Sequence, residues 1–315
     1  MMSKIFATVL LFVSGVLWPL AGMSAPPQLH IRSNLVVSPM EVDGVRLTEL
    51  SGLAWDADEQ LLYAVSDKGS VFHLHLTLSG NQLESVEPVF AAYLLDSKGA
   101  RLPRYRADAE GLMVINANNG KKGDTQLVIA LEGEPRLVRF TPAGRAIKNI
   151  TPPKPVREKK SLRHGNAGLE SLTFHPRFGF ITAPEKPLKG EPPDLHSIYS
   201  TNGQKWSFMA YPAENSGISA METLPDGNLL IMERAWSGVL SPMTVSLRYL
   251  DFRQCSRDGA CTVQDLKVLS SHLVVDNYEG LAHIQGNQYL MVSDDGDSDW
   301  LTTKLTLFTL DLPGK

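Results

Sequence analysis

The chain has 315 residues, of which 43% are hydrophobic and 20% are charged. Its 30 lysines and arginines stand against 34 aspartates and glutamates, which gives a formal net charge of −4 at pH 7. This balance does not favour a nucleic-acid partner, which needs a basic surface. After Leu20 no apolar run is long enough to span a bilayer, so a membrane-spanning body is not predicted.

The first 25 residues have the layout of a secretory signal peptide. Lys4 supplies a positive start, residues 5–20 are apolar, and small residues follow at 21–25. The alternative is an uncleaved single-span anchor, for which the stretch is short and wrongly flanked. We predict cleavage within residues 21–25 and a mature protein, residues 26–315, that is periplasmic or secreted.

One short pattern then recurs five times along the mature chain. Each copy begins with a serine or glutamate, followed by a small residue and a leucine or methionine, and leads into a second apolar run that ends at an acid. The copies begin at positions 51, 110, 170, 219 and 279, so their spacings are 59, 60, 49 and 60 residues. A period of this size predicts the blades of a β-propeller.

Strand candidates in each copy alternate β-branched, aromatic and leucine residues between turn signals. The first four copies each supply four strands: 52–55, 61–66, 71–77 and 86–95; 112–115, 126–131, 137–141 and 146–151; 172–175, 178–183, 196–200 and 206–211; 221–224, 228–232, 244–252 and 262–269. The fifth copy supplies three strands: 281–284, 288–292 and 304–312.

The strand missing from the fifth copy is predicted at the other end of the chain. Gln28–Val37 alternates apolar and polar residues, and its pairing with the last blade would close the ring and remove an exposed edge. We therefore predict an all-β fold, a single propeller of five four-stranded blades. A sixth blade remains open, because the loops 96–109 and 152–166 are long enough to contain strands.

Acidic side chains recur where the blades are expected to meet. The start of a first strand and the end of a second strand lie on one face of a blade, so ten repeat positions should surround one mouth of the central channel. Eight of them are acidic, with Ser51 and Ser219 as the exceptions: Asp67, Glu110, Glu132, Glu170, Glu185, Glu233, Glu279 and Asp294.

Carboxylates that lie close together raise each other's pKa values unless a positive charge balances them. A dense group of oxygen ligands suits Ca²⁺. We predict a divalent cation, with Ca²⁺ preferred. Its ligands are predicted to be Asp67, Glu132, Glu185, Glu233 and Asp294. Glu110, Glu170 and Glu279 are the candidate catalytic residues. In the alternative, purely architectural hypothesis, each acid accepts hydrogen bonds from backbone N–H groups at a blade junction.

Basic residues are expected on the same face. Lys68, Lys186 and Arg234 each directly follow one of these acids, and His164 precedes Glu170. Arg101, Arg104 and Arg106 precede Glu110. We predict that Arg106, Arg234, Lys68, Lys186 and His164 bind an anionic substrate, because guanidinium and ammonium groups hold phosphoryl oxygens. The alternative is that these bases only neutralise the acids.

Two local features complete the pattern. Asp295, Asp297 and Asp299 have the spacing of a calcium loop, but Trp300 and Thr306 stand where an EF-hand needs glycine and glutamate. A calcium site and a solvated turn both remain open.

Cys255 and Cys261 flank a polar segment with an Asp-Gly turn signal, which predicts a disulfide at a hairpin tip in an oxidising compartment. Two free thiols are the alternative.

The repeated Glu-Gly-Leu motif, with strand ends reading Val-Ser-Asp, Leu-Glu-Gly and Met-Glu-Arg, resembles the phytase-like family described by "esterase-like activity of phytase". The similar segments run from about Glu49 to Leu312. The resemblance implies an exported propeller with phosphoesterase or esterase activity. It transfers no catalytic residue to this chain, and the His-Asp signature of histidine-acid phytases does not occur in the sequence.

These observations favour an exported, monomeric propeller that hydrolyses a small anionic ester, such as a phosphate ester, with the help of a metal at the acidic mouth. The alternative is a non-enzymatic periplasmic propeller whose mouth binds a ligand, a cell-envelope glycan or a partner protein. A purely scaffolding role would require every acid of the mouth to be satisfied by backbone and arginine.

Overall fold

The computed structural model describes residues 26–164, 168–238, 241–271, 276–296 and 302–312. The strands within these ranges form five four-stranded antiparallel sheets and one two-stranded hairpin. The prediction of an all-β, five-bladed propeller is therefore confirmed. The predicted signal peptide, residues 1–25, lies outside the described ranges. None of the helices within those ranges combines the length and apolarity needed to cross a membrane.

The chain begins with β1 (Gln28–Val37), which is followed by the hairpin of β2 (Met40–Val42) and β3 (Val45–Leu47). The first two blades, from inner to outer strand, are β4 (Leu50–Asp56), β5 (Leu61–Ser66), β6 (Ser70–Ser79) and β7 (Gln82–Tyr93), then β8 (Ala109–Ile115), β9 (Gln126–Leu131), β10 (Arg136–Phe140) and β11 (Ala146–Ile150).

The next two blades follow the same order. They are β12 (Leu169–His175), β13 (Gly179–Pro184), β14 (Leu195–Ser200) and β15 (Lys205–Met209), then β16 (Ser216–Thr223), β17 (Leu229–Ala235), β18 (Met243–Leu250) and β19 (Val263–Ser271). The fifth blade consists of β20 (Asn277–Gln285), β21 (Gln288–Asp294), β22 (Thr303–Asp311) and β1.

The N-terminal strand closes the ring as predicted. β1 pairs antiparallel with β22 from Gln28 opposite Asp311 to Val37 opposite Thr303. The inner strands β4, β8, β12, β16 and β20 contact one another in this order, and β20 contacts β4. The described parts of the two long loops contain a short helix, α1 (Arg104–Ala107), and two 3-10 turns (Lys154–Val156 and Lys159–Ser161) rather than strands of a sixth blade.

The hydrophobic core is divided among the five junctions between blades, because each of its clusters joins residues of two neighbouring blades. In β5, for example, Leu62 and Ala64 pack towards the fifth blade, while Tyr63 and Val65 pack towards the second. A strand that is covered on both faces reads as a continuous apolar run. This burial explains why the second strands were predicted so closely.

The glycines of the repeat lie where neighbouring inner strands approach each other. A Cβ on Gly52 would stand 2.3 Å from the carbonyl oxygen of Glu110, and one on Gly111 would stand 2.7 Å from the backbone nitrogen of Leu172. The axial channel has room for about 10 Å³ of water-accessible space, about the volume of a single water. The channel is therefore packed, and a ligand larger than a water molecule does not fit inside it.

The predicted disulfide is confirmed. Cys255 and Cys261 are bonded, with their Cα atoms 4.1 Å apart, in the connection between β18 and β19. The same connection contains a third 3-10 turn, Phe252–Gln254. The bond staples the hairpin end between β18 and β19, at the end of the fourth blade opposite the start of β16.

The crowding at the axis predicts that Gly52→Ala lowers the free energy of unfolding by about 2 kcal/mol, because the new methyl group would overlap a backbone carbonyl that cannot easily move. Urea unfolding measures the change. Ser171→Ala is the matched control at the equivalent position of the third blade. Its buried hydroxyl has no hydrogen-bond partner among the described residues, so its loss should be nearly neutral. Equal stability of Gly52→Ala and wild type would contradict this packing.

Candidate active site at the channel mouth

Each inner strand bulges at the first position of its repeat. In β4, Leu50 pairs with Ser66 and Gly52 with Val65, so Ser51 has no opposite partner. The same shift occurs at Glu170, Ser219 and Glu279, and in β8 it falls at Glu110 and Gly111. A bulge redirects the side chain of the extra residue. Four of these residues line the narrow axial channel: Ser51, Glu170, Ser219 and Glu279.

Two further residues of each blade lie at the same end of the blade as the bulge residue. The residue two places before the bulge lies opposite a residue at or next to the end of the second strand, as when the amide of Glu132 donates to the carbonyl of Asp108 at 2.9 Å. We define the channel mouth as these three positions in all five blades: Glu49, Ser51, Asp67; Asp108, Glu110, Glu132; Gly168, Glu170, Glu185; Gly217, Ser219, Arg234; Asn277, Glu279, Asp294.

In the fourth blade the strand register places Arg234 at the mouth, one residue after the predicted Glu233. Gly217 pairs with Arg234, and Ile218 pairs with Glu233. The Glu233 side chain is 1% exposed and accepts hydrogen bonds from Arg248 at 2.6 Å and from the Tyr211 amide at 2.7 Å. These bonds hold Glu233 in a buried ion pair rather than among the predicted metal ligands at the mouth.

Arg234 organises the acids on its side of the mouth. Its Nη1 donates to Asn277 Oδ1 at 2.7 Å and pairs with Glu279, while its Nη2 lies 3.5 Å from Glu185 Oε1. Burial by itself would lower the pKa of Arg234, but the surrounding glutamates, led by Glu279, hold it above the ordinary value. Arg234 is the only base among the fifteen mouth residues, and it faces nine acids.

Three carboxylates on the second blade lie close together. Asp108, Glu110 and Glu132 each offer one oxygen, and these oxygens all lie within 4.8 Å of one another. That span equals the diameter of a coordination sphere with Ca²⁺–O distances of about 2.4 Å. The amide of Gly168 donates to Glu132 Oε1 at 2.9 Å and fixes that carboxylate. We refer to these residues as the acid triad.

No described hydrogen bond or ion pair joins a basic side chain to the acid triad. The pKa values of its three carboxyl groups are all raised, as expected for buried acids without a paired base. Burial, with the charges of Glu170 and Glu279, raises the pKa of Glu110 well above its usual range. Burial also raises the pKa of Glu132 to about 7, in spite of the Gly168 amide. The triad therefore needs either protons or a cation at neutral pH.

The remaining acids of the mouth differ in how they are balanced. Burial and a hydrogen bond with Glu49 raise the pKa of Asp67 to about 8, while Lys68 pairs with Glu49 and lies 3.8 Å from Asp67 Oδ1. Asp294 accepts from the Gly296 amide at 2.8 Å and from Asn277 Nδ2 at 3.1 Å. Some acids of the mouth are thus satisfied locally, as the architectural hypothesis requires. In the acid triad only Glu132 accepts a described backbone N–H, and no described base pairs with its three carboxylates.

The predicted anion-binding residues do not form one group. Lys186 lies beside the mouth, with its Nζ 3.3 Å from Glu185 Oε1 and 2.7 Å from the carbonyl oxygen of Asn215. His164 lines a cavity beside Lys186. Arg106, in contrast, is turned to the outer strands of the second blade, where its Nε lies 3.0 Å from Glu134.

Sequence reasoning missed Asp108 as a member of the acid triad, although it stands two residues before the repeat glutamate, in the same place as Glu49 of the first blade. Asp295 has a structural role, because it accepts from Thr48 Oγ1 at 2.7 Å, the Glu49 amide at 2.9 Å and Thr303 Oγ1 at 2.9 Å. The other residues of the proposed calcium loop, Asp297, Asp299 and Trp300, lie outside the described residues.

Comparison with known proteins supports the family suggested by the motifs. A family model described as "Phytase-like: Esterase-like activity of phytase" matches residues 45–298, well over half of the chain. The match contains the whole channel mouth. A search of the curated proteins found no match.

The raised pKa values predict that stability falls as the pH rises. The folded state keeps protons on Glu132 and Asp67 up to about pH 7 and 8, whereas the unfolded chain releases them near pH 4, so the free energy of unfolding decreases between about pH 5 and pH 8 in metal-free buffer. Glu132→Gln cannot ionise and should reduce this loss by on the order of 2 kcal/mol.

Urea unfolding at pH 5.5 and pH 8 measures the effect. Glu134→Gln is the matched control, because Glu134 is an exposed glutamate two residues along the chain and should keep the wild-type slope. A pH slope that is the same in Glu132→Gln and wild type would show that Glu132 is not protonated in the folded protein.

Proposed function

The chain belongs to the phytase-like family described as esterase-like activity of phytase, and from this membership and the acid triad we propose that it is an exported hydrolase of a small phosphate ester that uses a divalent cation. The observation that carries the proposal is the triad itself. Three carboxylates on one blade lie within the span of a single coordination sphere, and no described basic side chain pairs with them.

The donor set fits a hard cation. Carboxylate oxygens without nitrogen or sulfur ligands suit Ca²⁺ or Mg²⁺ better than Zn²⁺, and the flexible geometry of Ca²⁺ suits a site with side chains from two strands. Asp108, Glu110 and Glu132 would hold the ion, which supplies a Lewis acid for a phosphoryl oxygen when bound. Because the ion binds the ionised carboxylates, its binding should compete with the protons that the triad otherwise keeps.

Glu170 and Glu279 are suited to different tasks. Burial, with the charges of Glu185 and Glu132, raises the pKa of Glu170 well above its usual range, which favours a protonated side chain that can donate to a leaving group. Burial raises the pKa of Glu279 to about 7, but Arg234 and Asn277 Nδ2, which donates to Glu279 at 2.8 Å, favour its ionised form. A carboxylate that is fixed and charge-balanced in this way can orient a substrate hydroxyl or a water molecule.

Export and the monomeric state belong to the same proposal. The Cys255–Cys261 disulfide suits an oxidising compartment, and residues 1–25 have the signal-peptide pattern described above. A periplasmic or secreted enzyme would also meet Ca²⁺ at higher concentration than a cytosolic enzyme.

A non-enzymatic propeller that binds a glycan or another ligand is the second candidate. The exposed aromatic rings near the mouth favour it, because Tyr105 is 64% exposed in α1 and Trp236 is 45% exposed two residues after Arg234. Such rings stack on sugars and on other flat apolar faces. Saturable binding without turnover would distinguish this candidate from the hydrolase.

A metal at the triad predicts a thermal shift. Purified mature protein, freed of metal with EDTA and dialysed, should melt at a higher temperature with Ca²⁺ than without it, because a ligand at one hundred times its Kd stabilises the native state by about 2.7 kcal/mol. Glu110→Gln should lose most of the shift, since it keeps the shape of the protonated acid but cannot ionise. Glu134→Gln should keep it. Equal shifts in all three proteins would place the ion elsewhere.

Hydrolysis should depend on the mouth. The double variant Glu110→Gln/Glu279→Gln is expected to lose at least a hundredfold in kcat/KM for a phosphomonoester such as p-nitrophenyl phosphate, because it removes charges expected to bind or orient the reacting groups. Circular dichroism and melting show whether the variant is folded. Full activity of a folded double variant would rule out this site, and wild-type protein without turnover on any ester screened would support the binding module.

A further inference from the structure

A cavity of about 600 Å³ adjoins the channel mouth at the first blade. Its walls come from the β2–β3 hairpin, the end of β7 and the segment that leads into α1. The volume is within the range of small-molecule sites. Four lining residues are basic and none is acidic: Arg46, Lys68, Arg101 and Arg104. We refer to this cavity as the basic pocket.

Two arginines of the basic pocket are available to a ligand. The Arg101 guanidinium lies over the ring of Tyr93, with Cζ 3.2 Å from the ring centroid. Stacking fixes the plane of the guanidinium and leaves its edge N–H groups to bind an anion. Arg101 and Arg104 are both exposed, and neither forms an ion pair among the described residues. A planar guanidinium can bind a phosphate or a carboxylate through two parallel hydrogen bonds.

The basic pocket and the channel mouth share a wall. Lys68 lines the pocket and pairs with Glu49 of the mouth. Burial raises the pKa of Asp108 in the acid triad, while the charges of Arg104 and Lys68 act in the opposite direction. The bases of the pocket are therefore within electrostatic range of the triad. An anion in the pocket would lie beside the mouth, not on a remote surface.

We propose that the basic pocket is an anion-binding site in which Arg101 and Arg104 hold a non-reacting anionic group of the substrate. The proposal rests on the proposed hydrolase function, and it narrows the substrate class to soluble esters with a second phosphate or carboxylate group. The negative charge of the mouth is the physical reason why an anionic substrate would need such a site. The mouth has nine acids and one base, so the acids that are ionised disfavour an anionic substrate. An adjacent basic pocket offsets this effect and fixes the orientation of the ester.

Inorganic pyrophosphate is the probe, titrated calorimetrically into metal-free full-length mature protein in a buffer without phosphate or chelator. Wild type is expected to bind it, and Arg101→Ala/Arg104→Ala is expected to bind at least tenfold more weakly. Arg101→Lys/Arg104→Lys keeps the charges but not the paired hydrogen bonds, so its affinity should fall between the two. It also serves as the test pair if the alanine pair does not fold.

The matched control is Lys121→Ala/Arg177→Ala. Both residues lie in turns between first and second strands, on the face opposite the mouth, and Arg177 also lies over an aromatic ring, that of Phe178. This pair removes the same charge and should keep the wild-type affinity. No binding by wild type, equal binding by the arginine variants, or an equal loss in the control would overturn the proposal.

The test separates this proposal from the proposed function. Pyrophosphate binding needs neither metal nor turnover, so Glu110→Gln/Glu279→Gln should bind it at least as well as wild type. Pocket-dependent binding by a protein that hydrolyses no ester would support the anion site and refute the hydrolase. Triad-dependent hydrolysis with no effect of the arginine variants on binding would support the hydrolase and refute the anion site.

Discussion

The close approach of five inner strands around one axis is the constraint on which the rest of this structure depends. Where Gly52 and Gly111 face the backbone of the next blade, no side chain fits. The strands relieve the crowding with a bulge just before these positions, and the bulge residue is redirected to the end of the channel. Glycine at the second position of the motif allows the close approach in the first, second and fifth blades, while the third and fourth blades accommodate Ser171 and Ala220 there. In each blade the bulge directs the first residue of the motif to the mouth.

Closure also concentrates charge, and the ring does not balance it evenly. Arg234 of the fourth blade binds Glu279 and approaches Glu185, so acids of the fifth and third blades share one guanidinium. Lys68 serves the acids of the first blade. The second blade has no base in contact with its three carboxylates in the described part of the chain. Because a native fold rarely buries uncompensated charge without a use for it, this imbalance is the feature that most favours a bound cation.

Strand positions that follow from periodic burial could be predicted from the sequence. The side chains that reach the mouth depend on strand register, and for these the prediction was incomplete. The bounds of β1, β5 and β9 were predicted to the residue because their alternation or continuous burial is visible in the sequence. The inner strands begin two to five residues earlier than predicted, since strand pairing continues through the bulge. A shift of one residue separates Glu233 from Arg234, and only the paired strands show which of the two reaches the mouth. Asp108 was missed for a related reason, because its position acquires meaning only from the residue opposite it.

The arrangement of charge at the mouth argues for a division of tasks between blades. The three acids of the second blade pair with no described base, whereas Arg101 and Arg104, which are exposed and form no ion pair among the residues that the structure describes, line the basic pocket beside them. If neutralisation were their only role, these two sets would be expected to pair with each other, as Arg248 does with Glu233. Their separation leaves an acidic site for a cation and a basic site for an anion on adjoining walls. A metal-dependent enzyme for an anionic ester needs both, and a scaffold would gain stability by pairing them.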